Sequence, residues 1–121
     1  MIFVLQSKGK LFIMKGGVIT GKRRTGMISI AIVEDEEMYA KQLQQFLHQY
    51  EEENKEMFDI TVYSDGDQIV NKYKSQYDII LMDVEMKFMD GMSAAEEIRK
   101  IDTEVVIIFI TNMAQYAIRG Y

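Results

Sequence analysis

The sequence predicts an α/β fold built on a doubly wound parallel sheet, and three observations carry that expectation. Short apolar runs with little polar alternation recur at residues 28–33, 77–83 and 104–110, as in strands buried on both faces. Segments with helical apolar spacing fall between the strands, and strict strand–helix alternation implies parallel strands joined by crossovers. Two of the runs end abruptly in carboxylates, Glu34-Asp35 and Asp83. The carboxyl edge of an open α/β sheet is where its chemistry is placed.

A chain of 121 residues supports one domain with one core. It has no cysteine, which excludes disulfides and thiolate metal sites. No apolar run approaches the roughly 20 residues of a membrane span, and the opening run is shorter than a signal-peptide core of about 7–15 residues. The chain therefore reads as cytoplasmic. Its charge is asymmetric. Residues 1–26 hold six of the 14 bases and none of the 19 acids. The strongly acidic remainder is a poor nucleic-acid binder and suits a cation or a basic protein partner.

In chain order, residues 1–26 form a basic N-terminal extension. Ile2-Phe3-Val4-Leu5 and Leu11-Phe12-Ile13-Met14 have strand character, and Gly16, Gly17, Gly21 and Lys22-Arg23-Arg24 look like a linker. Three readings stand for this stretch: a disordered basic tail, a hairpin that pairs with a sheet edge, or a start-site artefact with the natural start at Met27.

Residues 28–33 read as the first strand of the alternating series. The helix after it carries Tyr39, Leu43, Phe46, Leu47 and Tyr50 on one face, with acids in its first turn where the dipole favours them. Residues 51–55 read as a solvated loop and 58–63 as a second strand. Ser64 is placed to cap a short helix, with Asp67 three residues on and Ile69, Val70 and Tyr73 on its buried side. The strand ending in Asp83 is third. A loop follows, with a turn at Asp90-Gly91. The next helix, 93–100, turns Ala94, Ala95, Ile98 and Ile101 inward. Residues 104–110 make a fourth buried strand, and 113–119 begin another helix.

In a parallel sheet the ends of the first and third of these strands share one edge. Glu34, Asp35 and Asp83 would then crowd together, which raises their pKa values or requires a cation. An all-oxygen cluster that keeps waters suits Mg2+. A carboxylate beside such an ion can attack a phosphoryl group in line. Thr111, at the end of the fourth strand, could donate a hydrogen bond to a phosphoryl oxygen. Each residue taken alone also has an ordinary structural explanation. Asp83 could be a turn or cap residue, Glu34 to Glu37 a first turn that complements a helix dipole, and Thr111 a cap for the next helix. Their joint order and topological positions carry the argument.

The motifs Ile-Val-Glu-Asp-Glu (32–36), Ile-Ile-Leu-Met-Asp (79–83), Met-Asp-Gly (89–91) and Phe-Ile-Thr-Asn (109–112) together resemble a response-regulator receiver domain. The resemblance covers residues 27–121. It implies a flavodoxin-like (CheY-like) fold, incomplete at the C-terminus because the family's fifth strand, its lysine and its last helix would lie beyond Tyr121. By this resemblance Asp83 is the phosphoacceptor, Asp35 a direct Mg2+ ligand and Glu34 a second acid acting through water. Glu85 offers a backbone carbonyl to the metal, and Thr111 is the switch hydroxyl. The implied partner is a sensor histidine kinase, and a homodimer is allowed. The C-terminal residues are similar, more narrowly, to regulators with a LytTR-type DNA-binding domain, so DNA would be reached through an output domain outside this chain. Lys87 stands where the family commonly has proline and is expected to face water. Without the fifth strand the 105–110 edge would lie exposed, unless residues 1–14 cover it.

The function expected is a phosphoacceptor switch rather than an enzyme. A Mg2+-dependent phosphatase of the haloacid-dehalogenase type also uses a strand-end aspartate. It wants an aspartate two residues after the nucleophile, where this chain has Glu85, and does not call for Glu34-Asp35. A receiver-like interaction module that never accepts phosphate is the third alternative.

Overall fold

The computed structural model describes residues 2–5, as backbone, and residues 27–110. Among the described residues, five strands and three helices follow in chain order: β1 (Ile2–Leu5), β2 (Met27–Val33), α1 (Glu37–Asn54), β3 (Met57–Tyr63), α2 (Gly66–Asn71), β4 (Ile79–Asp83), α3 (Gly91–Ile101) and β5 (Val106–Ile110). The strands form one sheet in the order β3-β2-β4-β5-β1, and every pairing is parallel. The α/β, doubly wound architecture is the one the alternation of strands and helices predicts.

The period of two along each strand divides the core between the two faces of the sheet. Ile28, Ile30, Ile32, Ile79, Leu81, Ile108 and Ile110 pack on one side, where α1 adds Leu43 and Leu47. Ala31, Val33, Ile80, Met82, Ile107 and Phe109 pack on the other, where Ile69 of α2 and Ala94, Ala95 and Ile98 of α3 close over them. All five residues of β4 are buried, which is why that strand shows no polar alternation. The chain leaves β2 towards β3, then crosses to β4 on the other side of β2. The crevice between the carboxyl ends of β2 and β4 is therefore a topological switch point.

Four local expectations are corrected. Residues 51–55 are not a loop, because α1 runs to Asn54 and ends at Lys55 in the left-handed conformation (φ 55°). Glutamates are good helix formers, and a solvated stretch can remain helical. Ser64 does not cap α2. Its own N–H donates to the Gln68 side chain at 3.0 Å, and Asp65 occupies the cap position in extended backbone. Asp90-Gly91 is a helix start and not a separate turn, since the Asp90 carboxylate accepts the Ser93 N–H at 2.8 Å. Ile101 faces solvent at 57% exposure, being the last residue of α3 before Asp102 turns the chain away.

The edge expected to lie exposed is covered over residues 107–110. Backbone pairing runs from Ile2 opposite Ile107 to Leu5 opposite Ile110. The stretch 11–14, Thr111 and the helix expected at 113–119 lie outside the described residues.

Candidate functional site

β2 delivers Glu34 and Asp35 to the switch point, and β4 delivers Asp83. The strands are in register from Ile30 opposite Ile79 to Val33 opposite Met82, so their ends arrive level. One carboxylate oxygen from each of Glu34, Asp35 and Asp83 lies within 4.8 Å of the others. Glu34 and Asp83 are buried, and Asp35 is open to solvent. The Glu34 N–H donates to the Tyr63 carbonyl at 3.0 Å, which ties the end of β2 to β3. Its carboxylate accepts the Glu36 N–H at 3.1 Å, which turns the chain into α1.

The donor set tests what the cluster can hold. Three carboxylates and nothing softer is the chemistry of a hard cation. Two buried acids beside a solvent-open one leave one side for water, as Mg2+ prefers. Like charges this close repel unless a cation joins them. The residues present thus fit Mg2+.

The loop after β4 forms the next wall. Val84 is buried. Its N–H donates to the Ile110 carbonyl at 3.3 Å and its carbonyl accepts the Gly91 N–H at 2.8 Å. Gly91 has no room for a side chain, since a Cβ there would collide with the Asp83 carbonyl oxygen. Glu85 has an exposed side chain two residues past Asp83. The structure brings three of the five residues named from sequence into one cluster, with the Glu85 backbone on the adjoining loop. Asp83 stands opposite Ile110, the residue before Thr111, and Thr111 itself is outside the described residues. Lys87 is exposed, with its ammonium 5.7 Å from the ring centroid of Phe88.

Sequence reasoning missed Asp65. It is 3% exposed, and its carboxylate accepts the N–H groups of Phe88 at 3.0 Å and Met89 at 2.8 Å. Burial pushes this carboxyl up, but backbone N–H donors from Phe88, Met89, Asp67 and Gly66 outweigh it and hold it below the ordinary value. The Asp65-Gly66 pair ahead of a short helix was the available signal. A local reading assigns that pair to helix initiation.

Among the described residues, no helix is long and apolar enough to cross a membrane. The family profile of the response regulator receiver domain matches residues 30–121. The chain is 30% identical over 100 residues to the probable transcriptional regulator ycf29 of Porphyra purpurea, covering 77% of this chain and 44% of that protein. It is 43% identical over 51 residues to the chemotaxis protein CheY of Bacillus subtilis, covering 41% of this chain and 42% of that one. The matched part thus spans less than half the length of either relative. Among solved structures it is similar to the response regulator TrrA of Thermotoga maritima in complex with Mg2+-BeF, with TM-score 0.65 and 26% identity over 74% of each chain. A structure of the histidine kinase ThkA in complex with TrrA also matches, with TM-score 0.60 and 27% identity over 75% of this chain and 80% of that one. With the three acids meeting at the switch point of a parallel sheet and the family profile covering most of the sequence, the chain belongs to the response regulator receiver domain family, the signalling modules of two-component systems.

Proposed function

We propose that the chain accepts a phosphoryl group on Asp83 from a sensor histidine kinase, with Mg2+ held by Glu34, Asp35, Asp83 and the Glu85 backbone carbonyl. The observation that carries this reading is the convergence of the three carboxylates within 4.8 Å at the carboxyl edge. The bound TrrA structures support it: one holds Mg2+-BeF and the other a histidine kinase. Mg2+, when bound, would neutralise charge on the phosphoryl oxygens.

The chain's own residues do the rest. An Asp83 carboxylate oxygen attacks phosphorus and forms the P–O bond of an acyl phosphate. The P–N bond of the donor phosphohistidine breaks, and its electron pair returns to the imidazole nitrogen. Val84 and Gly91 fix the backbone on which Asp83 sits, and Glu34 braces the start of α1. Thr111 is the switch hydroxyl in this reading, biasing the surface that follows it. The receiver proper is residues 27–121, and residues 1–26 are an extension of it. The same reading assigns a LytTR-type output domain outside these residues, through which DNA is reached, and allows a homodimer.

Intact mass after incubation with acetyl phosphate and Mg2+ tests the proposal. The chain, or a form extended through the rest of its receiver region, gains one phosphoryl group, and Asp83→Asn gains none. Folded protein of both lengths that gains none overturns the reading and leaves an interaction module.

A further inference from the structure

The loop from Val84 to Asp90 carries the Glu85 carbonyl, and its shape decides where that oxygen sits. Nothing covalent stiffens it. The chain contains no proline. Proline fixes φ and restricts the residue before it, so its absence leaves the loop freer. The loop is nonetheless held at both ends and in the middle. The end anchors are the Val84 and Gly91 hydrogen bonds already described. The middle anchor is Asp65, which spans two successive amides, Phe88 N–H to Oδ2 at 3.0 Å and Met89 N–H to Oδ1 at 2.8 Å. Gly66 allows the approach, because a Cβ there would lie 2.6 Å from the Met89 carbonyl oxygen and 3.1 Å from Ala94 Cβ. The Phe88 side chain contributes little to the anchoring, being 75% exposed.

We infer that Asp65 is the positioning residue of the phosphoacceptor loop, setting the Glu85 carbonyl, and with it the affinity of the acid cluster for Mg2+, from a different strand end. The inference rests on the Mg2+ reading above. Asp65 belongs neither to the acid cluster nor to the loop it restrains. A charged carboxylate that accepts two N–H groups in a nearly dry site is a strong and directional restraint. Groups that orient metal ligands in this way typically change affinity by about 10–100-fold when altered.

The test uses the full chain as wild type, Asp65→Asn and Asp65→Glu. It reads thermal melting without metal, hydrogen exchange at the Phe88 and Met89 amides, and Mg2+ affinity by titration calorimetry. Asn keeps one carbonyl acceptor and loses the charge. Glu keeps the charge and both acceptors but displaces them by one methylene. Both variants are expected to exchange faster at Phe88 and Met89 and to bind Mg2+ on the order of 10-fold more weakly. Loss in Asp65→Asn with wild-type affinity in Asp65→Glu would mean that only charge matters and would overturn the positioning role. Wild-type affinity in a folded Asp65→Asn overturns it as well. Should Asp65→Asn not fold, Asp65→Glu decides alone, and unchanged affinity there sinks the inference. Absence of Mg2+ binding by the wild type is the separate failure of the site reading, and the inference falls with it.

Discussion

Glu34 and Asp83 place two carboxylates in nearly dry surroundings beside an open Asp35. Only the folded chain assembles this trio, so a cation bound there stabilises the fold by mass action. At a Mg2+ concentration ten times the dissociation constant the gain is about 1.4 kcal/mol, a rise in melting temperature on the order of 6 °C for a domain of this size. Calorimetric melts with and without Mg2+ should show that rise in the wild type and lose it in Asp35→Asn. A rise that survives the substitution places the ion elsewhere. The trio was legible in the sequence because Asp83 ends one apolar run and the pair Glu34-Asp35 closes another. Asp65 was not, because its hydrogen-bond partners lie 23 and 24 residues further on and nothing local announces them.

At the amino edge of the sheet, opposite the acid cluster, a second polar group ties three elements together. The Tyr73 hydroxyl, just past α2, donates to Asp102 Oδ2 at 2.6 Å. Asp102 Oδ1 accepts the N–H groups of Glu104 at 2.9 Å and Val105 at 3.2 Å, and Arg99 of α3 donates to the Val105 carbonyl at 2.6 Å. Burial pushes the Asp102 carboxyl up, but the Tyr73 and backbone hydrogen bonds and the Arg99 charge outweigh it and leave it below its ordinary 3.8. A lowered folded value means stability that is fully present above pH 3.8 and lost as pH falls through the lower folded value. Asp102→Asn should therefore cost about 1 kcal/mol at neutral pH in urea melts. Its deficit relative to wild type should shrink as the pH drops below 3.8; a deficit that stays constant would show that the charge plays no part. At this scale strand and helix identities were readable from apolar period, and the ends were not. The end of α1 depends on Lys55 entering the left-handed region, and the start of α2 on Asp65 serving a distant loop. Both are decided by tertiary partners rather than by composition.

For the whole molecule the parallel character of the sheet follows from alternation alone, but the outer edge does not. A four-residue strand flanked by basic and glycine-rich sequence carries no mark of the partner it will choose. In the structure it lies along β5, whose residues 107–110 are buried. Removing residues 1–5 should bare the β5 edge and promote edge-to-edge association. Size-exclusion chromatography with light scattering would read this as a mass that rises with concentration; a truncated chain that remains monomeric and melts with the wild type would show that β1 does not protect the edge. The pairing of Ile2 with Ile107 joins positions roughly 100 residues apart, which makes it the contact of highest order in the sheet. At equilibrium so long a closure costs little more than a short one, about 0.6 kcal/mol for each doubling of length. Kinetically it is different. During synthesis β1 is without its partner until β5 is complete, so this seam can close only after the β2–β3 and β2–β4 pairings are already available.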